Sequence, residues 1–320
     1  MNGNPDDQEA HEEDRRGIAA ERDKRRIIGR RAGIVQRAVV RGPARPYTGP
    51  QSRGTTITAG NHQIANGNRA VQILLTNDDG IHAPGLAAME RELQTLGDVC
   101  VVAPAHEQSG VAHSITFLSP LVCQEVYAGD RQRGWAVEGS PADCVKIGVH
   151  ELCPRRPDLL VSGINGGLNA GINVLYSGTV AAAIEGAFFG IPSVAVSLEF
   201  DAHAQFEKAA QLARRIIEQI LRLTSPDAQL YNLNIPTPAL TGTPRLKVVP
   251  MGVQRYGERF LKRQDPRGRT YYWATADPPP QPTDRETDLT ALKKGLVTLT
   301  PLQYDMTKYP TLREMENWTL

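Results

Sequence analysis

From Val71 onward, apolar and polar positions fall into short alternating blocks, the pattern of strands separated by helices. An aliphatic run over 71–76 predicts a first strand, which breaks into Asn77-Asp78-Asp79-Gly80 before Pro84 opens a helix reaching about residue 96. Residues 99–103 predict a second strand, stopped by Pro104, and 115–137 are rich in β-formers. Ser140-Pro141-Ala142-Asp143 has the order of a capped helix start, with Ser at the N-cap, Pro first and Asp third, and that helix should reach about residue 152. Next come a strand over 158–162, a glycine-laden loop over 163–177, a helix over 179–189, a strand over 193–197, a long amphipathic helix over 204–223 and a strand over 230–235. Such alternation predicts an α/β fold, a mostly parallel sheet with helices on both faces.

The flanks read differently. Residues 246–275 predict two strands around the polar tip 262–269, a protruding C-terminal β-hairpin with little core of its own that needs another surface to pack on; a subunit partner is one candidate. The prolines at 278–280 then break the chain before a short helix near 286–294 and a strand over 296–300. Residues 1–68 mix charges with scattered Gly and Pro and show no strand pattern, so they are expected to form a disordered or weakly helical extension, with a basic helical stretch somewhere in 9–41. The expected catalytic domain spans 69–315.

At 320 residues and 40% apolar content, the chain can bury a full core without staples. A net charge of +1 argues against a globally basic nucleic-acid binder, so no nucleic-acid polymer is expected as an obligatory partner. Cys100, Cys123, Cys144 and Cys153 form no C-x-x-C pair, which disfavours a zinc-thiolate site and suits reduced thiols. No apolar run approaches membrane-span length, and the first 16 residues are acidic and polar, so a soluble cytoplasmic protein is expected, without a membrane partner.

Chemistry concentrates where strands end. Asp78 and Asp79 can converge only in a turn, because side chains alternate across a continuing strand, and Gly80 supplies the freedom for one. Two adjacent carboxylates repel unless a positive charge lies between them, although Asn-Asp-Asp-Gly is equally a plain turn or helix cap. Two more loops fall at the same sheet edge: 105–110 carries Ser109 and Gly110, and 163–167 carries Asn165. Two carboxylates, a hydroxyl and an amide carbonyl form an all-oxygen set suited to Mg²⁺, Mn²⁺ or Ca²⁺ rather than zinc or copper. Tyr176-Ser177-Gly178-Thr179 at a helix start offers free N–H groups and hydroxyls for phosphate, or is an ordinary N-cap. Asn77 and Gly110 join Ser177, Gly178 and Thr179 as candidate substrate-binding residues, and His82, His106 and His113 are candidate proton donors. The chain lacks a P-loop, a G-x-G-x-x-G after the first strand, and the later His that a zinc protease motif needs. A dehalogenase-type phosphatase would space its aspartates i, i+2.

Over about 71–310 the chain resembles the SurE family of survival-protein 5′/3′-nucleotidases, through ILLTNDDGIHAPGL, VVAPAHEQSGVAHSIT, GSPADCVKIG, PDLLVSGINGG, YSGTVAAAIEG, GIPSVAVSL, NLNIP and ETD with VTLTPL. The resemblance implies a Rossmann-like core, a hairpin exchanged between subunits, and a homodimer or homotetramer. It also implies metal-dependent removal of phosphate from nucleoside monophosphates, with short polyphosphate as a further substrate of some members. By motif position, Asp78, Asp79, Ser109 and Asn165 would bind one divalent cation per subunit, Mg²⁺ or Mn²⁺, with Asp78 and Asp79 also catalytic and a metal-activated water as nucleophile. Ala105-His106 and Ile172-Asn173 depart from the charged residues frequent at those positions in the family. The alternative function is a nucleotide-binding sensor or scaffold that keeps the fold without turnover.

Overall fold

The computed structural model describes residues 70–223, 229–254, 259–275 and 283–319, all within one unit, Ala59–Leu320. The expectations for 1–68, including the basic helical stretch, lie outside the described residues. Strand β1 (Val71–Thr76) lies deep inside the sheet, and its three consecutive aliphatics show why. Ile73 and Leu75 point into one apolar cluster and Leu74 into the other, all three fully buried. A strand wetted on neither face is an unbroken apolar run instead of an alternating one. Each such side chain stabilises the fold by about 1.5–3 kcal/mol.

Parallel pairing carries β1 to β2 (Gly97–Pro104) on one side and to β5 (Leu159–Gly166) on the other. Beyond β2 lies β4 (Arg131–Val137), parallel to it, and then β3 (Cys123–Ala128), antiparallel to β4. Beyond β5 lie β6 (Ser193–Leu198) and β7 (Leu230–Ile235), both parallel. The chain therefore builds outward from β1 in one direction, returns, and builds in the other. The β1/β5 boundary is the topological switch point, where loops leaving the carboxyl ends diverge and open a crevice.

Helices α1 (Pro84–Leu93) and α4 (Phe206–Leu221) pack together over one face, and α2 (Pro141–Ile147) and α3 (Gly178–Phe188) over the other. The capping box expected at Ser140 is present: its Oγ accepts from Asp143 N, and Asp143 Oδ2 accepts from Ser140 N. The helix predicted to reach about 152 is α-helical to Ile147 and widens into a π-helical turn over Gly148–Leu152.

The C-terminal third departs from expectation in two respects. Leu246–Val248 forms β8, which pairs in parallel with β11 (Val297–Leu302) at the edge of the main sheet, and β11 runs antiparallel to β7. The separate hairpin is narrower, β9 (Arg259–Gln264) and β10 (Thr270–Thr275), turned where the Asp265 carboxylate accepts the N–H groups of Arg267 and Arg269. The remaining helices are α5 (Asp288–Lys293) and α6 (Tyr309–Met315), the second of which no pattern in the chain had predicted. Among the described residues, no helix is long and apolar enough to cross a membrane.

Candidate metal centre

The loops that follow β1 and β2 meet the carboxyl end of β5 at the switch point, and β5 runs through Asn165 to Gly166, past the start of the loop expected from 163. The first is a tight turn. Asn77 Nδ2 donates to Gly80 O (2.9 Å), Gly80 N donates back to Asn77 Oδ1 (3.2 Å), and Gly80 adopts φ 98°. This clasp halts the strand and turns Asp78 and Asp79 toward the same side. The second loop is hung on the first, because Gln108 N donates to Asp78 O (2.7 Å). The end of β5 is tied in by Gly166 N donating to Asp79 Oδ2 (3.2 Å).

The result is a cleft of about 310 Å³ whose walls include Asp78, Asp79, Ser109, Gly110, Asn165 and Ser177. All four expected metal ligands thus share one cavity. Asn165 Nδ2 donates to Gly167 O (2.7 Å), which leaves its carbonyl oxygen as the group to present. Ser109 Oγ spends its proton on Glu107 Oε1 (2.7 Å), so its lone pairs remain available. Of the expected substrate-binding residues, Gly110 and Ser177 line the cleft, whereas Asn77 and Thr179 are fully buried beneath it.

Thr179 serves Asp78. Its hydroxyl donates to Asp78 Oδ1 and its backbone N–H bonds the same residue, so the first turn of α3 is docked on the carboxylate. Gly178 makes this approach possible: a Cβ there would lie 2.9 Å from Asp78 Cβ and 3.1 Å from Oδ2. Ser177 is the N-cap, its Oγ accepting from Val180 N (3.2 Å), which leaves its own proton for another acceptor.

Electrostatics make the pair uncomfortable alone. Burial pushes the Asp78 carboxyl above the usual range against the opposing bonds from Thr179, and Glu107 adds to the rise. Asp79 is pushed up to about 6, by burial first and then by the charges of Asp78 and Glu107. No Lys, Arg or His is among the described residues lining the cleft. Nor do three His, Cys, Asp or Glu side chains among the described residues form a metal-binding group, so a cation here must rely on neutral oxygens as well. Uncompensated carboxylates beside hydroxyl and amide oxygens fit a hard divalent cation.

The three histidines divide. His82 is exposed, and His106 faces a neighbouring hollow of about 480 Å³ on the other side of loop 105–110. His113 Nε2 bonds Glu185 Oε2 (2.7 Å) and its ring stacks on Phe188, engaged with Lys146 around the buried Glu185 carboxylate instead of the cleft. Sequence reasoning missed Glu107, Asn173 and Tyr176, which line the cleft. Glu107 sits inside a motif already quoted, and its acidity two residues from Ser109 was the available signal. It also missed Asn169, whose backbone O accepts from Asn232 Nδ2 (2.7 Å) and Asn234 Nδ2 (3.0 Å), and whose N donates to Asn234 Oδ1 (2.9 Å).

Residues 73–258 match the sequence profile of the family described as Survival protein SurE. The chain belongs to the SurE family. Among its SurE relatives, the 5'-nucleotidase SurE of Rhodopirellula baltica is 57% identical over 251 residues, covering 78% of this chain and 99% of that protein. The 5'-nucleotidase SurE of Caldanaerobacter subterraneus subsp. tengcongensis is 40% identical over 249 residues, covering 78% and 97%. The crystal structure of the SurE protein from Aquifex aeolicus superposes with a TM-score of 0.68 at 38% identity, covering 77% of this chain and 98% of that one. The architecture expected from the alternating blocks, a mostly parallel sheet with helices and a projecting hairpin, is the one this SurE chain adopts.

Proposed function

We propose that this chain is a metal-dependent phosphomonoesterase that hydrolyses nucleoside 5′- or 3′-monophosphates to nucleoside and phosphate. The observation that carries the reading is the convergence of Asp78, Asp79, Ser109 and Asn165 on one open cleft beside the start of α3. The names of its SurE relatives, 5'-nucleotidases, point the same way.

Asp78, Asp79, Ser109 and Asn165 would hold the cation, Mg²⁺ or Mn²⁺. When bound, it neutralises charge on the phosphoryl group and acidifies water. Asp78 is 4% exposed and engaged by Thr179, so the more open Asp79 is the carboxylate placed to take a proton from the attacking water at Oδ1. Ser177 Oγ, its lone pair spent on Val180 N–H, donates its proton to a nonbridging phosphate oxygen. The positive end of α3 supports negative charge in the same place. Tyr176, 58% exposed at the rim, offers the nucleoside an apolar face.

The reading extends to the assembly. Phe260, Leu261, Tyr272 and Trp273 on the β9–β10 hairpin are each at least half exposed, an apolar arm suited to bind a second subunit in a homodimer or homotetramer. Residues 69–315 form the catalytic domain, and free thiols at all four cysteines suit the cytoplasm. The test is phosphate release from nucleoside 5′- and 3′-monophosphates with Mg²⁺, Mn²⁺ or EDTA. Release that needs the divalent ion is expected. Tight nucleotide binding with no release under any ion would replace this reading with that of a sensor.

A further inference from the structure

The Glu286-Thr287-Asp288 and Asn232-Leu233-Asn234 motifs contribute no group to the cleft, yet both hold the loop that forms its far wall. Asn232 and Asn234 grip that loop at Asn169, as described above, and Asn169 Nδ2 adds a bond to Ser197 Oγ (3.0 Å). Two residues on, Gly171 N donates to Asp288 Oδ2 (2.8 Å). The other oxygen, Oδ1, accepts from Gly252 N (2.8 Å) and from Leu289 N (2.7 Å).

We propose that Asp288 is a positioning residue of the site: its carboxylate joins the loop carrying Asn173, Tyr176 and Ser177 to the segment that leads into the β9–β10 arm. The inference rests on the phosphatase reading of that site. Asp288 is fully buried, and among the described residues no Lys, Arg or His pairs with it. A buried carboxylate served by backbone N–H groups alone is a demanding way to hold a short helix, and α5 already has its own capping box at Thr287 and Thr290. What the carboxylate adds is a bridge, one oxygen to each of two segments distant in sequence. The junction leaves no space for a side chain. A Cβ on Gly171 would lie 2.8 Å from Leu289 Cδ1 and 3.1 Å from Gly252 O, and one on Gly252 would lie 2.9 Å from Leu289 Cδ1 and 3.2 Å from Asp288 Oδ1. A displacement at Gly252 therefore reaches Gly171 through direct contact. Tyr176, at the end of the same loop, is in turn bonded by Ala112 N (3.2 Å), which ties it to the Ser109 loop.

Two full-length variants test this, with Mn²⁺ present and a nucleoside monophosphate as substrate. Asp288→Asn keeps the shape but turns one acceptor into a donor facing an N–H, and Gly252→Ala leaves the carboxylate intact while wedging the junction. Both should lower kcat by about 10- to 100-fold at temperatures well below their melting points. Both should also speed amide exchange in peptides covering 167–177 while leaving β6 protected as in the wild type. Wild-type kcat and wild-type exchange over 167–177 in both variants would overturn the proposal, and a lower melting temperature with kcat preserved would reduce Asp288 to a seat for α5. If the wild type itself releases no phosphate, the functional reading fails, and the exchange comparison still decides whether Asp288 fixes the loop.

Discussion

Replacing Asp79 with asparagine should make the metal-free protein more stable while removing its response to metal. The Asp79 carboxyl sits at about 6, against an ordinary value of 3.8, because burial and the charges of Asp78 and Glu107 disfavour its ionised form. A rise of roughly two pKa units corresponds to about 3 kcal/mol of penalty on the charged state. Asp79 is partly exposed, and solvent screening reduces this to about 1–2 kcal/mol. The sign follows from linkage. The folded state binds the proton more tightly than the unfolded chain, so the penalty is absent below about pH 4, grows as the pH rises, and is complete above about pH 6. The amide oxygen that replaces the carboxylate can still accept the Gly166 N–H, so little is lost in return. In EDTA at about pH 7.5, thermal melts should place the variant about 3–6 °C above wild type for a domain of this size. The gap should shrink toward zero near pH 4. Adding Mn²⁺ should raise the wild-type midpoint and leave the variant where it was. A variant that melts no higher than wild type in EDTA, or one that keeps its advantage undiminished at low pH, would refute the electrostatic account of the pair.

Three further outcomes follow from neighbouring contacts. Thr179→Val removes the hydroxyl that donates to Asp78 and should cost about 1–3 kcal/mol in chemical denaturation together with roughly tenfold in kcat/KM; unchanged kinetics would mean that Asp78 needs no such support. Gly178→Ala drives a methyl into Asp78 and should shift the α3 start, lowering turnover by about 100-fold, whereas near-normal turnover would show that the helix can retreat freely. Burial of Glu185 works against its charge, but bonds from His113 and Lys146 outweigh it and hold the carboxyl below its usual range, so its stabilisation is present near neutrality and is lost as the pH falls through that lowered value. Glu185→Gln should therefore cost about 2 kcal/mol at neutral pH and progressively less in acid, and a pH-independent loss would argue for a packing effect instead.

How much of this could be read from the chain depends on whether a feature is local. Ser140-Pro141-Ala142-Asp143 forms its capping box because all its bonds lie within one turn. β1 and β7 begin and end at the predicted bounds, 71–76 and 230–235. That Asp78, Asp79, Ser109 and Asn165 line one cleft was legible because each lies at or just beyond the carboxyl end of a strand of a parallel sheet, and carboxyl ends share an edge. Leu246–Val248 was assigned to the hairpin because three residues carry no periodicity, and its true partner, β11, lies some fifty positions on. Thr179 reads locally as a helix-start hydroxyl, and only the packing of α3 against β5 and β6 turns it toward Asp78. Asp288 and Asn169 were invisible as loop anchors, since a carboxylate or peptide that binds distant N–H groups leaves no spacing rule in the sequence.

The antiparallel insertion of β11 between β7 and β8, together with the late position of Asp288, has a bearing on biosynthesis. All the residues that line the cleft have been synthesised once residue 177 is added, yet the segments that brace its far wall are made only with 232–234 and 288. A nascent chain thus carries every residue of the cleft long before the bonds that brace the far wall can form. A chain cut just before Asp288 would keep every residue that lines the cleft and lose the carboxylate that joins Gly171 to Gly252.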